Sequence, residues 1–214
     1  MVGIFMPGRL QSERLPKKLT LPLGDTCLWE IACKKLSQIE GVNKYVLIND
    51  GELIEIAKRF SDIEIIKRDK KTCEVDGPLT FIFKDMKLVP DKYLMFLNPC
   101  LYNLHTDTIQ RAIIEFERSK SEYATSVKKF QNWVWDANSN PVVPIDYQRL
   151  STKEIPIYYQ AAHCFHIFNK DEFFETGMML NEGLELIVVQ KDDTLDVDTI
   201  EDFEVAQCLL QKSE

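Results

Sequence analysis

Apolar residues follow two rhythms along this chain: short unbroken runs, and longer stretches in which they recur three and four positions apart. Val2 to Pro7 is such a run, a polar and basic stretch follows, and Thr26 to Leu36 has helical spacing. That order predicts strand, loop and helix. Tyr45 to Ile48 predicts a second buried strand, after which Asn49, Asp50 and Gly51 break the chain before Leu53, Ile54, Ala57 and Phe60 mark a second helix. Ile63 to Ile66 predicts a third strand and Leu79 to Met86 a third helix. Tyr93 to Leu97 predicts a fourth strand, and Thr106 to Phe116, with Ile109, Ala112, Ile113 and Phe116 on one face, a fourth helix. Strands alternating with helices imply parallel pairing, a twisted sheet covered on both faces and ligand binding at the carboxyl ends of the strands.

From Tyr123 to Phe168 the rhythm changes. Two Trp, three Pro and a turn signal at Asn138, Ser139 and Asn140 predict extended segments and hairpins, a small lobe inserted over the site. Leu184 to Val189 restores a sheet strand, and Thr199 to Leu210 closes the chain as a helix with Ile200, Phe203, Ala206, Leu209 and Leu210 inward. The expectation is one α/β domain over residues 1–214, with about 123–168 as the inserted lobe.

Composition narrows the class. The chain is 45% hydrophobic and 28% charged with eight Gly and nine Pro, values of an ordinary globular protein with enough apolar surface for a core. Its net charge of −8 argues against nucleic acid and anionic membrane as partners. Apolar runs such as Leu94 to Leu97 are far short of the roughly 20 residues that span a bilayer, and the N-terminus has no signal-peptide core. Six cysteines without a Cys-x-x-Cys pair fit a reducing compartment, so the expected location is the cytoplasm.

Against that acidic background, Arg9 to Lys18 holds four cations and one anion within ten residues. Placed directly after the first strand, where amides and cations can converge, the loop suits a polyphosphate; the competing reading is a solvated basic loop. The second feature is the carboxylate-rich stretch Asp192 to Asp202. Asp196 and Asp198, two apart in an extended segment, share a face and can bind Mg²⁺ together. The competing reading makes Asp198 or Thr199 the cap of the last helix. A basic loop for phosphates and a carboxylate pair for a metal are the two halves of a nucleotidyl-transfer site.

The run RLQSERLPKKLTLPLGDTCLWE resembles the signature loop of the cytidylyltransferases that activate acidic sugars, the CMP-sialic acid (acylneuraminate) and CMP-KDO synthetases, whose pattern reads R-x-x-S-x-R/G-L/I-P-x-K. VLINDGE, from Val46 to Glu52, resembles the second strand and its turn, Lys67 and Arg68 resemble the arginine position after the third strand, and LDVDTIEDFEVAQ resembles the closing D-I-D-T-x-x-D. The resemblance implies a three-layer α/β/α Rossmann-like nucleotidyltransferase with a mostly parallel sheet and a small extended lobe for dimerisation and acceptor binding. It further implies that Arg9, Ser12 and Lys18 hold CTP, that Arg14 and Arg68 assist at the phosphates, and that Asp196 and Asp198 bind Mg²⁺. Arg9, Lys18 and Asp198 are the candidate catalytic residues.

The departures fall on the acceptor side. Where sialic acid synthetases read Q-P-T-S-P-L-R, this chain has Asn98-Pro99-Cys100-Leu101-Tyr102-Asn103-Leu104, without the closing Arg. LSTKEIPIYYQAAHCFHIF, from Leu150, resembles R-T-Q-D-L-P…N-G-A-F-Y-I-F, with Ser151 where an acceptor-reading Arg is expected. Asn98, Lys153 and His163 are the acceptor candidates, and Arg149 and Lys128 are alternative cations. His163 and His166, three apart in a strand, are expected on opposite faces. Trp133 and Trp135, two apart, are expected on one face at a dimer contact. Cys100 reads as a buried thiol.

The function these features imply is Mg²⁺-dependent transfer of CMP from CTP to a sialic-acid-like or KDO-like sugar, with release of pyrophosphate, by a homodimer serving surface glycan assembly. The alternatives are a cytidylyltransferase with another phosphate, phosphonate or sugar-phosphate acceptor, and a nucleotide-binding module without turnover.

Overall fold

The computed structural model describes residues 2–74, 77–149 and 151–211. Strand β1 (Val2–Pro7) leads into a long loop and helix α1 (Leu28–Ser37); β2 (Asn43–Ile48), α2 (Gly51–Ala57) and β3 (Glu64–Lys67) follow. Two short helices, α3 (Lys70–Glu74) and α4 (Leu79–Ile82), and a 3₁₀ turn (Lys84–Leu88) precede β4 (Tyr93–Leu97) and α5 (Thr106–Arg118). Then come β5 (Tyr123–Phe130), β6 (Tyr158–Asn169), α6 (Lys170–Thr176), β7 (Glu185–Val188), a 3₁₀ turn (Lys191–Thr194) and α7 (Ile200–Gln211).

The seven strands form one sheet in the order β3-β2-β1-β4-β6-β5-β7. Every neighbouring pair is parallel except those made by β6, which runs antiparallel to both β4 and β5. Strand alternation divides the core. Ile4, Met6, Val46, Ile48, Met95 and Leu97 face one side, where they pack with Trp29 and Leu36 of α1 and Ile109 and Ala112 of α5. Phe5, Tyr45, Leu47 and Leu94 face the other, against Phe83, Met86 and Phe173. Trp29 is fully buried, and its indole N–H donates to Leu53 O at 3.0 Å, so burying the ring leaves no polar atom unpaired. No helix is long and apolar enough to cross a membrane among the described residues.

Several expectations change. The segment from Tyr123 to Phe168 does not stand apart from the sheet at its ends, because β5 and β6 are strands of it; the part between strands is 131–157. Leu79 to Met86 is a short helix followed by a 3₁₀ turn, not one helix. Helix α6 has no counterpart in the periodicity reading, although Asn169 caps it by accepting from the Asp171 and Glu172 amides and Gly177 ends it at φ 80. In α7 Phe203 and Ala206 are buried, but Ile200, expected inward, is 49% exposed.

Strand β6 is irregular where it matters most. Thr125 pairs with His166 and Val127 with Ala161, so β6 carries extra residues between them, and His163 takes φ 53. The Ser126 hydroxyl accepts from the Cys164 and Phe165 amides at 2.9 and 3.1 Å, supplying partners that the interrupted ladder lacks.

Candidate functional site

The basic loop leaves β1 at the carboxyl edge of the sheet. Gly8 N donates to Leu47 O at 3.1 Å, and a Cβ at Gly8 would lie 3.0 Å from Ile48 and Leu53 and 3.1 Å from Trp29. A side chain there would push these core neighbours aside, so glycine suits the close turn. The loop closes where Lys17 N donates to Leu10 O at 3.0 Å, with Lys17 at φ 57, and buried Leu15 and Leu19 anchor it from beneath. Its polar face is thereby turned outward. Arg9, Ser12, Arg14 and Lys18 line a cleft of about 480 Å³, with Arg68 from the end of β3 and Phe96 from β4 across from them.

The acidic stretch arrives at this cleft from the opposite end of the chain. Val197 N donates to Cys100 O at 3.0 Å and Tyr102 N to Leu195 O at 3.2 Å, so residues 195–197 run antiparallel to the loop that follows β4. Thr199 and Asp202 form a reciprocal cap at the start of α7. The Asp202 carboxylate accepts from the Asp198 and Thr199 amides at 3.1 and 2.9 Å, and Asp202 N donates to the Thr199 hydroxyl at 3.3 Å. Capping therefore falls to Thr199 and Asp202, and the Asp198 side chain serves the cleft: Oδ1 lies 2.6 Å from Lys18 Nζ and Oδ2 lies 2.8 Å from Arg14. Lys18 is only 14% exposed; burial works against its charge, but Cys100 and Asp198 beside it hold the ammonium above its ordinary value.

Asp196 accepts from Asn98 Nδ2 at 3.0 Å through Oδ2, while its Oδ1 is buried and has no hydrogen-bond partner among the described residues. Burial, then the Asp198 charge, push the Asp196 carboxyl above its usual range. A buried, partnerless carboxylate oxygen beside a second carboxylate is the environment a divalent cation would relieve. No group of three or more His, Cys, Asp or Glu able to hold a metal occurs among the described residues. Two carboxylates with phosphate oxygens completing the shell is the donor set Mg²⁺ commonly takes, and these residues fit it.

The structure brings Arg9, Ser12, Arg14, Lys18 and Arg68 to one cleft and sets Asp198 against two of them. Arg68 is 3% exposed and its guanidinium is held by Thr72, through Oγ1 at 2.9 Å and through the Thr72 carbonyl. Burial, with the Arg9 charge nearby, lowers its pKa, although Cys73, Asp85 and Asp50 act the other way. Asn98, expected to read the acceptor, is committed elsewhere: Oδ1 accepts from Cys100 N at 3.0 Å, and Nδ2 donates to Asp196 and to His163 O. It orients Asp196. Lys153 does not line the cleft; it lies in the 131–157 segment, where its carbonyl accepts from Gln131. Cys100 is buried and its thiol is pushed up to about 11 by burial, which makes it a poor nucleophile.

The bulge in β6 overturns the expected separation of the histidines. Their rings meet at 5.8 Å, with His166 stacked on Phe96 at 5.9 Å and its Nδ1 2.8 Å from the Thr125 hydroxyl. Burial, helped by His163, pushes the His166 ring down to about 4. Sequence reading missed the contact of His166 and Thr125 behind Phe96, which lines the cleft, because a bulge that reorients a strand leaves no mark in its apolar pattern. The Trp pair likewise sits outside any strand, with rings edge to face at 6.3 Å. Asp202 was legible: Thr199-x-x-Asp202 is a capping pattern.

Comparison with known proteins bears on the family and the fold. The model of the cytidylyltransferase family matches residues 4–213. Among curated proteins, the 3-deoxy-manno-octulosonate cytidylyltransferases of Rickettsia bellii and Rickettsia felis are 25% and 26% identical over 155 residues, 68% of this chain. The matched part is 59% of those relatives' length. Among solved structures, CMP:2-keto-3-deoxy-manno-octonic acid synthetase complexed with CTP superposes with TM-score 0.70 at 15% identity, covering 100% of this chain and 99% of the other. A 4-diphosphocytidyl-2C-methyl-D-erythritol synthase from Anaerococcus prevotii gives 0.67 at 10% identity, covering 98% of each chain. These likenesses establish the three-layer fold with its mostly parallel sheet.

Proposed function

The chain belongs to the cytidylyltransferase family, and from that premise we propose that it transfers CMP from CTP to a KDO-like acidic sugar. The observation that carries the reading is the junction of the basic loop with Asp198, where Lys18 and Arg14 flank a carboxylate beside the partnerless Asp196 oxygen. Arg9 and Lys18 bind and neutralise the β- and γ-phosphates. An acceptor hydroxyl attacks the α-phosphorus in line; the new oxygen–phosphorus bond forms as the bond to the β-phosphate breaks, pyrophosphate leaves, and the hydroxyl proton passes to solvent. Mg²⁺, held by Asp196 and Asp198, would supply charge stabilisation on the phosphate oxygens. Fixed charges that need not reorganise during the reaction are the main source of the rate gain.

The relatives favour a KDO-type acceptor over an acylneuraminate one. A second reading, a sugar-phosphate-like acceptor, draws on the 4-diphosphocytidyl-2C-methyl-D-erythritol synthase neighbour and on Leu104 and Ser151, which stand where acid-reading arginines are expected. His163 is exposed and its carbonyl accepts from Asn98 Nδ2, the amide that also holds Asp196, which supports an acceptor contact by its side chain. The 131–157 segment and the start of β6 expose Trp135, Val142, Tyr147, Ile157 and Tyr159, a surface suited to a second copy of the chain in a homodimer.

The deciding experiment is pyrophosphate release from CTP and Mg²⁺ with KDO, N-acetylneuraminate, sugar phosphates and phosphonates, using ATP, GTP and UTP as controls. Release with KDO is expected. Release only with a phosphate-bearing acceptor selects the second reading, and tight CTP binding without release for any acceptor refutes turnover.

A further inference from the structure

A half-buried charge outside the proposed chemistry holds backbone close to the site. Lys35 projects from α1 beneath the loop that follows β4, and its ammonium donates to two successive carbonyls, Leu101 O at 3.0 Å and Tyr102 O. With Cys100, those two residues tie the loop to the segment that carries Asp196: Leu101 bridges Asp196, and Tyr102 N donates to Leu195 O. The far end of the same segment is fixed by Asp193, 1% exposed, whose carboxylate accepts from His105 N and the Thr108 hydroxyl, both at 2.9 Å, and from Gln190 N at 3.3 Å. Asp193 thereby ties the turn before Leu195 to the start of α5, and its charge also acts on Lys35.

We propose that Lys35 and Asp193 are a clamp that positions Asp196, with half-buried Lys35 fixing the loop after β4 and buried Asp193 fixing the strand segment laid against it. The inference rests on the nucleotidyl-transfer reading above. Neither residue lines the nucleotide cleft. Their effect passes through backbone hydrogen bonds to the direction in which Asp196 Oδ1 points, the one buried oxygen at the site without a partner among the described residues. Desolvating an ammonium is costly, and two carbonyls with one more distant carboxylate compensate it only in part. Burial accordingly lowers the Lys35 pKa to about 8. A group kept under that cost does more here than fill space, because unpaired Leu101 and Tyr102 carbonyls would free the loop to turn.

The test uses Mn²⁺ binding to the CTP-loaded protein, read by the resonance of the free ion, beside turnover. In Lys35→Ala, Mn²⁺ affinity and kcat are expected to fall by about tenfold or more while KM for CTP changes by less than about twofold, the usual range for a group that orients a metal ligand. Lys35 borders a separate cleft of about 720 Å³ between α1 and α7, so a small amine can reach the vacated space. Added n-propylamine should restore part of both quantities and n-propanol should not. Lys35→Met, which keeps the stem's packing, decides the matter if the alanine variant does not fold, and Asp193→Asn should move both quantities the same way. A folded Lys35 variant with wild-type Mn²⁺ affinity and kcat overturns the clamp. Wild-type protein that binds CTP and Mn²⁺ but turns over no acceptor refutes the activity alone, because Mn²⁺ affinity still judges the clamp; wild-type protein that binds no Mn²⁺ beside CTP overturns both.

Discussion

The neutral His166 ring makes acid stability a direct probe of its packing on Phe96. In the unfolded chain the imidazole takes its proton near 6.5, whereas burial and then His163 hold it to about 4 in the folded protein. The folded value is the lower one, so as the pH falls the unfolded state binds the proton first. The stability contribution is complete above about pH 6.5 and is lost as the pH falls towards about 4. The gap between 6.5 and about 4 is worth roughly 3 kcal/mol in full. Between about pH 7.5 and about pH 4.5 linkage gives roughly 2.5 kcal/mol, a large part of the ~5–15 kcal/mol that holds a typical domain together. His166→Phe keeps a ring on Phe96 and cannot titrate, while both proteins share every acid-sensitive carboxylate. Urea unfolding of the two proteins at both pH values should therefore show wild type losing about 2.5 kcal/mol more than the variant. Parallel losses, within about 0.5 kcal/mol, would refute the burial of a neutral ring at this position.

Three further outcomes follow from the same geometry. Asp198→Asn removes the partner of Lys18 and Arg14 at the mouth of the cleft, so kcat should fall by orders of magnitude with an unchanged far-UV spectrum; full activity would contradict the assignment. Gly8→Val puts side-chain atoms against Ile48, Leu53 and Trp29, which should cost about 1–3 kcal/mol in thermal unfolding and weaken CTP binding measured by calorimetry. Asp202→Ala takes away the acceptor for the Asp198 and Thr199 amides and should cost about 1 kcal/mol, with a further loss of turnover as the Asp198 backbone loosens.

Much of the parallel half of the fold was legible because its strands hold short apolar runs: Val2 to Pro7 and Tyr93 to Leu97 have the bounds that the pattern predicts, while β3 lies one residue beyond its predicted bounds. Strand β6 was not, since Tyr158 to Ala161 are mostly exposed while Cys164 to Phe168 are mostly buried, a division set by how far the strand runs past the sheet edge. At the site, local charge marked the basic loop and the paired acids, and both reach the cleft. Side-chain duty was hidden. Asn98 looked like an acceptor contact because it ends β4 beside the cleft, but the partners that occupy both ends of its amide come from residues 100, 163 and 196, which only the folded chain brings together. Lys35 was invisible for the same reason: within its helix it is one more basic residue in the last turn.

The ion pairs of Asp198 bear on how binding responds to salt and to metal. Lys18 and Arg14 are already engaged, so a triphosphate entering the cleft takes cations from a resident carboxylate rather than from bulk counterions. Entry is then an exchange of partners, and nucleotide affinity should fall with ionic strength less steeply than four basic residues in a loop suggest. The displaced carboxylate, close to Asp196 and stripped of its cations, needs a replacement charge at that moment. Nucleotide and divalent ion are thereby coupled on entry, each making room for the other.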